Sequence, residues 1–306
     1  MSTPIEQNTI DLREILNEVN LLIENSGIPC TLTIFTVPNA TVTATFENQT
    51  VTAIADVSGT AVLELSKEGV WTVTATYEGE TVSTQVDTSL SLETELQFKK
   101  PLAECTWEEI SAVSKSGKAS KWWSVGDTRP IVISGVTYTA QIMDFDMYDV
   151  SDPASYGREK AGVVFQLVEL FNETETASAA RSAANTAITS NAECKDLIPT
   201  IRYPYLSSGS ATSVSIGTAK GILASEEELF GASADIEDPP AGTQFAFYKA
   251  GNSRIKKVVG KTTASKYWTR SYQNNTSRYL VLVDDDGTYV YTGSATNHNW
   301  TAVFCL

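Results

Sequence analysis

The sequence predicts a multidomain chain: an N-terminal helix, an all-β sandwich and a C-terminal α+β domain. Three observations predict it. Apolar residues recur at helical spacing over 8–25, alternate with Thr and Ser over 28–99, and beyond 106 fall into short strands among longer loops and helical pieces. The length of 306 residues fits about two domains at roughly 150 residues each. Apolar residues make up 42% of the chain, enough for sizeable cores, which excludes wholesale disorder.

In the first segment, residues 1–27, Ile10, Leu12, Ile15, Leu16, Val19, Leu22 and Ile23 recur at steps of three and four, and Asn25-Ser26-Gly27 supplies a stop. The stripe fits a short heptad seam, hence an attachment or oligomerisation helix, and it equally fits a helix docked on its own chain.

The second segment, residues 28–100, switches to period two. Its strands are 31–35, 40–46, 51–55, 60–65, 70–77 and 81–86, separated by Pro38-Asn39, Glu47-Asn48, Ser58-Gly59, Glu68-Gly69 and Glu78-Gly79. Short Val- and Thr-rich strands at this spacing make a small antiparallel sandwich. The order Gly59-Thr60-Ala61, then Gly69-Val70-Trp71-Thr72-Val73, resembles small immunoglobulin-like domains of the carboxypeptidase-regulatory type. That resemblance implies a spacer.

The third segment, residues 101–306, reads as α+β. Glu108–Val113 predicts a short helix ending at Gly117, and 131–142 a hairpin turning at Ser134-Gly135. A strand follows at 162–168, a helical stretch at 176–198 that includes Cys194, Leu197 and Ile198, and a second hairpin over 279–291 turning at Asp286-Gly287.

Composition narrows the function classes. With 22 basic and 37 acidic residues the net charge is −15, and a phosphate-backbone partner needs clustered Lys and Arg, so nucleic acid is not expected. No window reaches the roughly 18 apolar residues of a membrane span, and Met1–Gln7 lacks the basic and apolar regions of a secretory signal. Folding in a cytosol is therefore expected. Cys30, Cys105, Cys194 and Cys305 lie far apart without ligand spacing, which argues against zinc and for buried free thiols. His298 is the single histidine, so any Ser-His or Cys-His catalytic pair must use it.

Several stretches of the third segment belong together: Trp107-Glu108-Glu109-Ile110, Trp122-Trp123-Ser124-Val125-Gly126-Asp127, Tyr138–Asp146, Leu223–Gly231, Phe247–Ser253, Trp268-Thr269-Arg270-Ser271 and the terminal Val303-Phe304-Cys305-Leu306. In combination they resemble an uncharacterised domain of prophage tail-associated proteins of clostridia and other gut Firmicutes, over roughly 106–306. The resemblance implies a C-type-lectin fold, related to the formylglycine-generating enzyme group and to the variable proteins of diversity-generating retroelements. In that group a Trp-x-Arg-Ser element opens the ligand-displaying segment and a Phe-containing strand closes it, which here are Trp268–Ser271 and Phe304-Cys305-Leu306. The catalytic cysteine pair of the enzyme branch has no counterpart.

Between those bounds the chain is crowded with Tyr, Asn, Ser and Thr. Tyr272, Asn274, Asn275, Thr276, Ser277 and Arg278 precede the apolar strand; Tyr289, Tyr291, Thr292, Ser294, Thr296, Asn297, His298 and Asn299 follow the turn. Tyr gives large contact area at low rotamer cost, and Ser and Asn adapt their hydrogen bonding, so these residues are the candidate ligand contacts. A polar hairpin with Asn/Gly turns has the same composition.

Asp284-Asp285-Asp286-Gly287 reads as a turn rather than a calcium loop, because adjacent aspartates point alternately to opposite faces. Asp144, Asp146, Asp149 and Asp152 form a second acidic group that reads as a solvated loop, with metal binding as the alternative its spacing leaves open. Trp107, Trp122, Trp123 and Trp268 read as core anchors, and Arg270 as paired with a buried carboxylate, for which Asp127 is the candidate, or with backbone carbonyls rather than with a ligand. Carbohydrate depolymerases need paired carboxylates at fixed separation, which Asp144 and Asp146 do not establish. The expectation is a non-enzymatic virion tail protein without cofactor, assembled in the host cytoplasm. Its expected partners are a bacterial surface receptor (protein or glycan), other tail proteins and further copies of itself, a trimer first. A structural tail or baseplate decoration without receptor contact is the alternative.

Overall fold

The structure, a computed structural model, describes residues 14–15, 28–96, 98, 100–207, 213–231, 242–273 and 279–306. Strand accounts for 41% and helix for 17%, so the chain is β-rich, as the period-two runs predict. It separates into two compact units, Met1–Phe98 and Lys99–Leu306. Of the helix predicted over 8–25, Glu14 and Ile15 are helical and exposed, and the remainder lies outside the described residues.

Among its described residues the first unit has seven strands: β1 (Cys30–Phe35), β2 (Thr41–Phe46), β3 (Gln49–Ile54), β4 (Thr60–Leu65), β5 (Val70–Tyr77), β6 (Glu80–Asp87) and β7 (Glu93–Glu95). They form one sheet in the order β4-β1-β7 and another in the order β3-β2-β5-β6. Alternation explains the core: Leu32, Ile34, Leu63 and Leu65 from the first sheet and Val42, Ala44, Trp71, Val73 and Ala75 from the second are buried. The other face of the larger sheet is an aligned hydroxyl array in which Thr43 lies opposite Thr52 and Thr74, and Thr74 opposite Ser83. The strand β7, parallel to β1, is too short and too acidic to show a period.

In the second unit Thr106 caps α1 (Trp107–Ser116), accepting from the Glu109 amide while the Glu109 carboxylate accepts from the Thr106 amide, and Gly117 ends it at φ 75°. A short α2 (Ala119–Trp122) follows. The hairpin β8 (Thr128–Ile133) and β9 (Val136–Phe145) turns at Ser134 and Gly135, both at positive φ, the two-residue turn that suits strand twist. Then come β10 (Asp149–Val150), α3 (Pro153–Tyr156), β11 (Val163–Leu167) and α4 (Ala177–Thr189). Helix prediction over 176–198 overran: after Thr189 the Asn191 side chain accepts from the amides of Glu193 and Cys194 and turns the chain.

The remaining elements are β12 (Ile201–Tyr205), β13 (Ser215–Ala219), β14 (Gly221–Ile222), α5 (Glu226–Phe230), α6 (Ala246–Lys249), β15 (Tyr267–Tyr272), β16 (Tyr279–Val283), β17 (Tyr289–Gly293) and β18 (Val303–Cys305). A five-stranded sheet runs β14-β18-β11-β9-β8, flanked by three-stranded sheets β10-β12-β13 and β15-β16-β17. Every residue of β11 is buried, because apolar clusters lie on both faces of its sheet. Phe165 packs in one with Trp107, Ile110, Trp268 and Phe304; Val164 packs in the other with Met143, Phe245 and Tyr248. Of the predicted anchors, Trp107, Trp123 and Trp268 are buried and Trp122 is half-buried.

Candidate ligand-binding site

The segment expected to carry the ligand contacts begins on β15, whose burial fixes its position. Thr269 and Ser271 are fully buried and Arg270 nearly so. The Arg270 guanidinium donates to both carboxylate oxygens of Glu228, at 2.6 Å from Nη1 to Oε2, and to the carbonyls of Leu223 at 2.8 Å and Pro204 at 3.1 Å. Glu228 also accepts from the Tyr148 hydroxyl at 2.6 Å and the Ser225 amide at 2.9 Å. The pair is buried on both sides, bidentate and enclosed by further hydrogen bonds, the arrangement in which desolvation is best offset. Burial, with Glu228 beside it, pushes the Tyr148 phenol well up, so it stays a donor. The partner predicted for Arg270 was Asp127; instead Asp127 accepts from the Ser124 amide. Glu228 reaches the pair because its capping box with Ser225 holds it at the start of α5.

Beyond β15, Asn274, Asn275, Thr276, Ser277 and Arg278 lie outside the described residues. Tyr272 is half-buried with the Arg181 guanidinium 5.2 Å over its ring. On the edge strand β17, Tyr289 and Tyr291 sit side by side with ring centroids 5.8 Å apart, and Tyr289 meets Phe230 edge-on at 5.6 Å. The turn after β17 exposes Ser294, Thr296 and Asn297, with Thr292 and Thr296 joined at 3.1 Å. The last two candidates face inward. His298 bridges to Glu175 through its backbone and sets its half-buried ring against Trp268, 5.2 Å between centroids; burial, with Lys266 nearby, lowers its pKa. The Asn299 amide donates to the Phe171 and Glu173 carbonyls. The structure thus gathers the tyrosines and the 294–297 turn on the β17 hairpin and turns His298 and Asn299 to bracing it.

Most of the acidic side chains are engaged within the protein. Asp284 pairs with Lys266 at 2.8 Å, and Asp286 accepts from the Thr288 amide and hydroxyl. Asp144 accepts from the amides of Phe145 and Ala246, Asp146 pairs with Arg158, and Asp152 caps α3. Among the described residues no cluster of metal-ligating side chains forms. All four cysteines are free. Burial pushes Cys105 up to about 11, Cys194 up to about 12 and Cys305 well up, which leaves these three as thiols at neutral pH.

A cavity of ≈ 370 Å³, which no sequence pattern marks, opens beside β15. Its wall on α4 carries Arg181, Ser182 and Asn185; β12 adds Tyr203 and Tyr205; Ala219, Ile222 and Leu223 form an apolar floor next to Arg270. The helix turns Ala177, Ala180, Ala184 and Ile188 inward, which leaves Arg181 and Asn185, four residues apart, on one flank. Close approach of α4 to β14 requires Gly221, since a Cβ there would lie 2.5 Å from the Ala184 carbonyl. The strand β12 sends Tyr203 and Tyr205 to the same face.

No family model matches this chain, and neither the curated proteins nor the solved structures contain a match to it.

Proposed function

We propose that the chain is a non-enzymatic receptor-binding protein of a bacteriophage tail. In this reading the second unit is a C-type-lectin-like head, the first an immunoglobulin-like spacer, and the N-terminal helix an attachment and oligomerisation element, with the trimer as the favoured assembly. One observation carries the reading: Tyr289 and Tyr291 stand side by side on an edge strand, while the adjoining Leu280–Val283 are buried. A rigid base under an aromatic and hydroxyl-rich surface is the physical form of a paratope. Diversification of 272–299 by a retroelement is part of the proposal, and a neighbouring reverse transcriptase with variation confined to those positions is its genomic signature.

The test is retention of the fluorescently labelled full chain on Gram-positive cells, with and without Tyr289→Ala combined with Tyr291→Ala. The expected result is retention by the parent and a loss of tenfold or more in the double variant at unchanged melting temperature. No retention, together with co-assembly of both proteins into tails, would instead establish the structural decoration protein.

A further inference from the structure

We propose that the cavity between α4 and β12 binds an anionic saccharide, a sugar bearing a carboxylate or a phosphate. The inference deepens the receptor-binding reading and rests on it for where such a sugar comes from, while the chemistry rests on the cavity itself.

The charge comes first. Two arginines reach the cavity, and they are not equivalent. Arg270 is neutralised by Glu228. Arg181 has no carboxylate partner among the described residues: its Nη2 donates to the Arg270 carbonyl at 2.7 Å, its guanidinium lies over the Tyr272 ring, and its Nε is buried without an acceptor. A guanidinium is always charged and presents a planar fork matched to carboxylate and phosphate. In a chain of net charge −15, a cavity walled by an uncompensated cation selects an anion locally, since the distant acidic surface is screened beyond about 8 Å at physiological salt.

The neutral groups supply the sugar. Asn185 Oδ1 accepts the amides of Lys220 at 3.1 Å and Gly221 at 3.2 Å. The backbone therefore fixes the orientation of this amide and leaves the Nδ2 donors for a ligand. Neither the Tyr203 nor the Tyr205 hydroxyl bonds to another described residue, and their rings stand 6.0 Å apart at 43°. Hydroxyls and an oriented amide match the hydroxyls of a pyranose, and the tyrosine rings with the apolar floor match its C–H faces. The ≈ 370 Å³ volume is at the small end of ligand pockets, about 300–1,000 Å³, a size for one or two sugar rings.

The experiment titrates the full chain with methyl β-D-glucuronide, methyl β-D-glucoside, glucose 1-phosphate and inorganic phosphate, followed by ligand-observed NMR. One of the two anionic sugars is expected to bind at least tenfold more tightly than the neutral glucoside and than inorganic phosphate; which one does so separates a uronic-acid source from a phosphodiester-linked source. Arg181→Gln is expected to abolish the preference for charge. Tyr205→Ala is expected to weaken the anionic sugar severalfold, and it removes no internal hydrogen bond, so it keeps the test sound if Arg181→Gln misfolds. Equal binding of the glucuronide, glucose 1-phosphate and the glucoside, or tightest binding of inorganic phosphate, overturns the proposal. Retention of the parent on cells without preferential binding of either anionic sugar overturns the inference and leaves the receptor-binding reading standing; sugar binding without cell retention does the reverse.

Discussion

Arg270 and Glu228 form a buried unit that extends to Tyr148 and Ser225. Removing one partner leaves the other charged in a low-dielectric interior, which typically costs about 3–5 kcal/mol. Glu228→Gln is therefore expected to lower the melting temperature of the second unit by on the order of 10 °C, at about 2–4 °C per kcal/mol for a domain of this size. A fall within 2 °C by calorimetry would refute the role assigned to the pair. Lys256 poses a different problem at the same scale. Its Nζ is buried and donates to the carbonyls of Leu167 and Val168, and burial lowers its pKa to about 7 despite Glu169 nearby. Between pH 7 and the unfolded value of 10.5 the unfolded chain holds a proton that the folded chain has lost, so stability rises with pH across that window. Below pH 7 both states are charged and the burial penalty is present in full. Lys256→Met is expected to flatten the rise between pH 7 and 9 in urea unfolding; an equal slope in both proteins would assign it to other groups.

At the scale of elements, what was legible was what is local. Strands β1 to β6 follow from alternation, α1 from Glu108–Val113 and the stop at Gly117, and the β8–β9 turn from Ser134-Gly135, because each signal acts within a few residues of its effect. The strand β12 was not legible: Pro204 breaks its pattern, and it is tolerated because β10 pairs only as far as Arg202, which leaves that edge of β12 open at the proline. The cavity was not legible either, since Arg181, Tyr203, Leu223 and Arg270 come from four places that only tertiary packing joins. The display hairpin was partly legible. Its composition marked Tyr289 and Tyr291, but nothing local shows that the Asn299 amide is engaged by Phe171 and Glu173. The helix that builds the cavity gives this scale its prediction. Gly221→Ala places a methyl against the Ala184 carbonyl and Ile188, an overpacking that costs about 1–3 kcal/mol. It is expected to push α4 away from β14 and to lower melting temperature and sugar binding together. A variant that melts like the parent would show that the close approach is not constrained.

At the scale of the molecule, the two units have separate cores, with the aromatic clusters around Phe165 and Val164 confined to residues beyond 99. A fragment spanning 99–306 is thus expected to unfold cooperatively within about 3 °C of its transition in the full chain; its failure to fold would make the first unit part of its stability. A cavity with one uncompensated guanidinium and a half-exposed tyrosine pair makes few strong contacts, so a single head holds a surface ligand weakly. If, as proposed, copies are joined through the N-terminal segment, later binding steps become intramolecular, and linked sites commonly gain 10²–10⁴-fold without any new contact. Retention of the full chain on receptor-bearing cells is accordingly expected to exceed that of the monomeric 99–306 fragment by at least a hundredfold, with both giving the same affinity for a soluble monovalent sugar. Leu12→Asp with Val19→Asp should bring the full chain down to the fragment's level if the heptad seam joins the copies. Equal retention by the fragment and the full chain, with sedimentation showing a monomer, would place all adhesion in one head and remove the oligomer from the mechanism.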